Sequence, residues 1–260
     1  GGPIVLSGHT AVNAGGLYGV PNVVKNAPGE AFIDIRENGT KLDVPASNTN
    51  RKTVYDLGAA MDTLVYGIRA FHSNVAVSVN GWLDFSSSTS VGPADNNSPF
   101  PHAQLVPLAI APYFDDLRTK DDGSSAIYVR TDGNGLNRRL IVQWDNLKHN
   151  DFSVSSLTFQ AQIYESGKIV FAYKTLQVGG PELPAIGVIN DDKSGGLAAP
   201  DLPSEGDTYT FFGPVTPPVT MAAIDAPWAA RIQVGTTDLY LNVLADPPAY
   251  QAPAPVTIPE

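Results

Sequence analysis

Between Leu105 and Tyr173 four apolar runs follow one another: LVPLAIAPYFDDL, AIYVR, NRRLIVQWDNL and LTFQAQIYESGKIVFAY. Clusters of Gly, Asn, Asp and Ser separate them. Leu140, Val142 and Trp144 take one parity, while Gln143 and Asp145 take the other. Successive strand residues point to opposite faces, so a period of two sets an apolar face against a polar one. Phe159, Ala161 and Ile163, and then Lys168–Tyr173, repeat the scheme on either side of Glu165-Ser166-Gly167. The pattern predicts successive antiparallel strands with one face buried and one face wet.

The rest of the chain agrees with an all-β reading. Ile4-Val5-Leu6 predicts an initial strand, followed by an irregular Gly-rich segment with a short helix near 20–26. Asn38-Gly39 between Ala31–Ile35 and Lys41–Val44 is a hairpin signal, because both turn residues tolerate positive φ. Lys52–Leu57 reads as a further strand. The run LGAAMDTLVYGIRAF is the one candidate for helical periodicity, although Thr63, Val65 and Gly67 favour extended structure in its second half. Val75, Val77 and Val79 alternate up to Asn80-Gly81, and Trp82, Leu83 and Phe85 follow. Ala185–Asn190 and Tyr209–Phe212 are short strands. The segment Pro214-Val215-Thr216-Pro217-Pro218 reads as a linker, and Ala230–Val234 and Leu239–Leu244 as extended runs before a Pro-rich end.

Composition narrows the function classes. With 16% charged residues, 24 Gly and 22 Pro, the chain is suited to turns and loops rather than long solvated helices. A net charge of −10 repels phosphate backbones and argues against nucleic acid as a partner. The absence of cysteine excludes disulfides, zinc–thiolate sites and cysteine nucleophiles. No run approaches the roughly 18 apolar residues of a membrane span. The start at Gly1-Gly2-Pro3 has the look of a processed or excised fragment.

The succession FHSNVAVSVNGWLDF, LAIAPYFDDL, AIYVR, NRRLIVQWDNL, TFQAQIYESGKIVFAY and PAIGVIN resembles the nidogen-type (NIDO-like) extracellular β-sandwich. It resembles more closely a bacterial version found in large secreted or surface proteins. The shared features are an Asn-Gly turn ending a strand, a Pro-aromatic-x-Asp segment, and a hairpin leading to a glycine-containing strand. The resemblance covers residues 55–190. It implies adhesion, matrix or cell-surface roles and no shared catalytic machinery.

Asp115 and Asp116, with Asp121 and Asp122 close behind, form the densest carboxylate cluster and the candidate metal site. Calcium, which takes six to eight oxygen ligands, is the candidate cofactor, with Asp132, Asn134, Asp191 and Asp192 as further donors if their loops converge. The EF-hand order is absent, and Asp also serves turns by bonding nearby backbone amides. His9, His72, His102 and His149 are scattered and read as solvent-facing loop residues; His9, beside Ser7 with Asp34 or Asp43 as orienting acid, would be the first to test for hydrolase chemistry. No Gly-x-Ser-x-Gly elbow and no His-Glu-x-x-His helix is present. Glu165 and Glu182 fall in a turn and a loop and are not placed as a glycosidase pair. Trp144 reads as core, Trp82 as core or surface, and Trp228 as an anchor for the tail. Of Arg138 and Arg139, one is expected to point inward and one outward.

These readings predict an antiparallel β-sandwich over 31–213, an irregular N-terminal segment over 1–30 and a short β-rich, Pro-rich tail over 214–260. They predict no catalytic residues. The expected function is a secreted or cell-surface bacterial module for adhesion or assembly, with protein or glycan partners and a homo-oligomer as a further state. A self-assembling shell or fibre subunit with exchanging terminal arms, and an accessory domain of a secreted hydrolase, are the alternatives.

Overall fold

The computed structural model describes residues 22–47, 50–66, 68–89, 100, 104–152, 154–180 and 183–212, and the backbone of 220–223, 229–234 and 237–242. In chain order the first strands are β1 (Asn22–Lys25), β2 (Thr40–Lys41), β3 (Lys52–Val65), β4 (Ile68–Ser78), β5 (Trp82–Asp84), β6 (Ile110–Phe114) and β7 (Leu117–Arg118). There follow β8 (Ala126–Asp132), β9 (Arg139–His149), β10 (Ser156–Tyr164), β11 (Lys168–Gln177), β12 (Ala185–Ile189), β13 (Gly196–Ala198) and β14 (Thr208–Phe212). The first sheet has the order β1-β14-β11-β10-β9-β8-β2, with β7 also paired to β9. The second has the order β13-β12-β6-β5-β4-β3. All of these pairings are antiparallel. Residues 21–213 form one compact unit. The unit made by 1–20 and 214–260 contains an antiparallel meander, β15 (Thr220–Ala223), β16 (Ala229–Val234) and β17 (Thr237–Asn242).

The parity read from the sequence builds the core. Ile127, Trp144, Phe159, Tyr173 and their neighbours stand in register across β8, β9, β10 and β11. They pack against Val77, Leu83, Ile110 and Val188 from the second sheet. Two aromatic polar tips tie the sheets together: Trp144 Nε1 donates to the Ser78 carbonyl at 2.8 Å and Tyr173 OH donates to the Pro112 carbonyl at 2.7 Å. Each ring thus fills core volume while its polar end finds a partner.

The Asn80-Gly81 turn forms the junction between the motifs. Gly81 has φ +74°, and a Cβ there would lie 1.9 Å from the Tyr113 carbonyl oxygen. Its own carbonyl accepts from Tyr113 N–H at 3.2 Å. Asn80 is buried; its Oδ1 accepts from Leu117 N–H and its Nδ2 donates to Asn50. The Asn-Gly turn and the Pro-Tyr-Phe-Asp segment are therefore two halves of one backbone clasp.

Several expectations are corrected. The stretch read as a short helix near 20–26 contains the edge strand β1, whose Val23 and Val24 suit a pleated surface better than a helical turn. LGAAMDTLVYGIRAF holds no helix among its described residues: it runs in β3 up to Val65 and in β4 from Ile68. Asn38-Gly39 turns the chain but joins no hairpin: β2 pairs with β8 instead, and 31–35 is not a strand. The outer face of the first sheet is wet only in part, at residues such as Asp145 and Lys174. Gln143, Gln160 and Gln162 on that face are buried beneath 31–35. Gln143 Oε1 accepts from Ile35 N–H at 2.9 Å and Gln160 Oε1 from Ile33 N–H at 3.1 Å. Gln162 Nε2 donates to the Ala31 carbonyl at 2.8 Å, and Gln160 Nε2 to the Ile33 carbonyl. The amides also bond one another, Gln160 to Gln143 and Gln162 to Gln160, both at 3.1 Å. The glutamine ladder replaces the strand pairing that 31–35 lacks and satisfies its backbone. The initial strand at 4–6 lies outside the described residues.

Candidate functional site

The acidic segment folds into separate structural bonds. Asp115 is buried, with Oδ1 accepting from Asp116 N–H at 2.9 Å and lying 3.5 Å from His149 Nε2. Asp116 Oδ2 accepts from Asn150 Nδ2 at 3.2 Å. Asp121 is bonded by the Ser47 hydroxyl, by Arg118 at 2.6 Å and by Lys148 at 3.5 Å; the Ser47 bond, then the two cations, holds its carboxyl below the usual range. Asp122 accepts from Ser124 N–H at 2.9 Å within its own turn. Asp192 does the same for Ser194 at 2.8 Å, and Asp132 binds Arg130 at 2.6 Å. Among the described residues no three acidic or histidine side chains gather where they could hold a metal ion.

The histidines within the described residues are not solvent-facing loop residues. His149 ends β9, is buried, and packs tilted against Phe152 with ring centroids 4.7 Å apart. Its Nδ1 accepts from Asp151 N–H at 3.1 Å, which leaves Nε2 as the donor toward Asp115. His72 lies in β4, half-buried, and stacks on Phe85 at 4.6 Å; burial lowers its pKa. His9, His102, Glu182 and Trp228 lie outside the described side chains. Glu165 pairs with Arg138 at 3.0 Å and accepts from Asp62 N–H. Both arginines serve the fold: Arg138 also donates to the Ala59 and Ala60 carbonyls, and Arg139 to Tyr164 OH at 2.6 Å.

On the outer face of the second sheet the arrangement differs. Trp82 is fully buried and packs with Leu105, Ala111, Phe114 and Ile189. Phe100 lies over Gly187 and Gly196, where any Cβ would collide with its ring. Beside this cluster opens a cleft of about 790 Å³, within the size range of small-molecule sites. Its lining is largely apolar, including Val65, Ile68, Phe85, Val106 and Leu108, with His72 beside them. Lys52 and Asp84 also line it, and both side chains are almost wholly buried. Lys52 Nζ stands 2.6 Å from Asp84 Oδ2, 3.3 Å from Ser86 Oγ and 5.0 Å from the Trp82 ring centroid. Asp84 Oδ1 and Trp82 Nε1 are buried without a hydrogen-bond partner.

Register explains the placement. Trp82 pairs with Ser78 and Asp84 with Ala76, so Trp82 and Asp84 share a face of β5 while Leu83 turns to the core. Lys52 pairs with Ser78 on the other side. The small side chains of Ala76 and Ser78 leave room for the lysine to cross β4. The parity of Trp82-Leu83-Asp84 could have flagged an acid beside a tryptophan, but nothing in the sequence links it to a lysine 32 residues earlier.

Two antiparallel sheets packed around one core, with many of the described acids and bases held in turns and ion pairs, define a β-sandwich module. The chain belongs to the NIDO-related family, whose model matches residues 25–211, a longer span than the 55–190 on which the resemblance rests. Domains of this family are generally extracellular, non-catalytic modules. Neither the comparison with curated proteins nor that with solved structures gave a match. No helix among the described residues is long and apolar enough to cross a membrane.

Proposed function

We propose that the protein is a non-enzymatic module, secreted or held at a cell surface, that serves adhesion or assembly by binding a protein partner in the cleft on the second sheet. The observation that carries this reading is the cleft itself: an apolar concavity on a domain whose acidic segment, Asp115 to Asp122, is taken up by structural bonds. Its aliphatic lining suits apolar side chains better than the many hydroxyls of a glycan. In this reading Asp115, Asp116, Asp121 and Asp122 serve the turns in which they stand, and calcium leaves the melting temperature unchanged.

Peptide and glycan arrays probed with the parent chain and with Ile68→Arg test the proposal. Ile68 is 39% exposed on the cleft wall, so the arginine places a charge in the binding surface without entering the core. Peptide binding that disappears in Ile68→Arg supports the proposal. Glycan binding alone, or binding that survives the substitution, contradicts it.

A further inference from the structure

The Lys52–Asp84 pair has a covalent chemistry open to it. A buried ion pair must offset several kcal/mol of desolvation per ion, and this one does so with an unsatisfied carboxylate oxygen. Nζ lies 2.6 Å from Oδ2, so the amine and the carboxyl are held in contact, as attack at fixed geometry requires. The two side chains come from strands separated by β4, within a chain that has no cysteine to join strands in any other way.

We propose that Lys52 and Asp84 condense to an intramolecular isopeptide bond that ties β3 to β5. Transfer of one proton from Nζ to Oδ2 leaves a neutral amine and a neutral carboxylic acid. The amine lone pair attacks Cγ and the Nζ–Cγ bond forms. The Cγ–Oδ2 bond breaks, and Oδ2 departs as water with its own proton and one from the attacking nitrogen. Oδ1 remains as the amide carbonyl. No oxidant or co-reactant is consumed. Ser86 Oγ, 3.3 Å from Nζ, is a positioning residue that keeps the amine over the carboxyl. Condensation replaces two buried charges by a neutral amide and releases the water to bulk solvent, which favours the product in a dry site. Fixed geometry supplies the effective concentration that free lysine and aspartate lack.

Intact-mass spectrometry of the folded chain tests this directly. The expected mass is one water below that of the sequence, with a branched peptide joining the Lys52 and Asp84 segments after digestion. Asp84→Asn keeps the shape and is expected to lose one ammonia instead. Lys52→Arg is expected to keep the full mass. A parent chain at its full sequence mass after prolonged incubation at 37 °C overturns the proposal and needs no variant to do so. A water loss that persists in Lys52→Arg also overturns it, because the dehydration then belongs to cyclisation at Asp84 with its own backbone.

Discussion

The outer faces of the two sheets are closed in different ways. On the first, Gln143, Gln160 and Gln162 grip the backbone of 31–35 and one another, and the amides form a connected network. On the second, Trp82 and its apolar neighbours cover part of the face, a cleft opens beside them, and polar atoms of Trp82 and Asp84 lack partners. A satisfied polar network rigidifies a surface, whereas unmatched groups beside a cavity mark a place where stability has been left incomplete. Thr208 and Thr210 on the first sheet also bury hydroxyls without partners, so the contrast lies chiefly in the cleft, which the proposed function gives to binding.

The comparison can be broken most severely where both sheets meet. Gly81→Ala drives a Cβ against the Tyr113 carbonyl at positive φ, and is expected to cost more than about 4 kcal/mol, seen as loss of the cooperative urea transition. Next comes the buried pair. Lys52→Met removes the link to Asp84 and strands its carboxylate, and is expected to lose about 3 kcal/mol; adding Asp84→Leu relieves the stranded charge and recovers only part of the loss, read from urea midpoints. A gain is expected from Thr63→Val on the second sheet, since the buried Thr63 Oγ1 has no partner. Removing that hydroxyl stabilises by about 1 kcal/mol, read as a raised denaturation midpoint.

The smallest effect concerns the 31–35 segment in acid. The Arg36 guanidinium, joined by Lys174, holds the Asp34 carboxyl far below the usual carboxylate range. A depressed folded pKa gives stability that is present above the unfolded value of about 3.9 and fades as pH falls toward the folded one. Asp34 is partly exposed, so solvent screening limits the gain to about 0.5 kcal/mol. Melting curves of the parent and Asp34→Asn are therefore expected to differ slightly above pH 4 and converge below it.

Much of the architecture is legible in the sequence because parity is local. Leu140, Val142 and Trp144 announce their face, and the Asn80-Gly81 turn follows from the residues that tolerate positive φ. The glutamine ladder is not legible in the same way. Gln143, Gln160 and Gln162 have the parity of solvent-facing residues, and only the non-local approach of 31–35 buries them. The acidic cluster misleads for a related reason: adjacent aspartates look like a shared site, yet Asp121 and Asp122 turn to different partners. The Lys52–Asp84 pair is hidden because it joins non-neighbouring strands. His149 reads as a loop residue until its place at the end of β9, against Asp115, is known.

Urea denaturation of Gln160→Ala and Ile68→Arg side by side tests the division between the faces most directly. Gln160→Ala removes the partner of both the Ile33 N–H and carbonyl, and a loss of about 3 kcal/mol is predicted. Ile68→Arg, on the cleft wall, is predicted to stay within about 0.5 kcal/mol of the parent. Equal losses in the two variants would contradict the account, because the cleft would then be packing that holds the sandwich together and not a surface open to a partner.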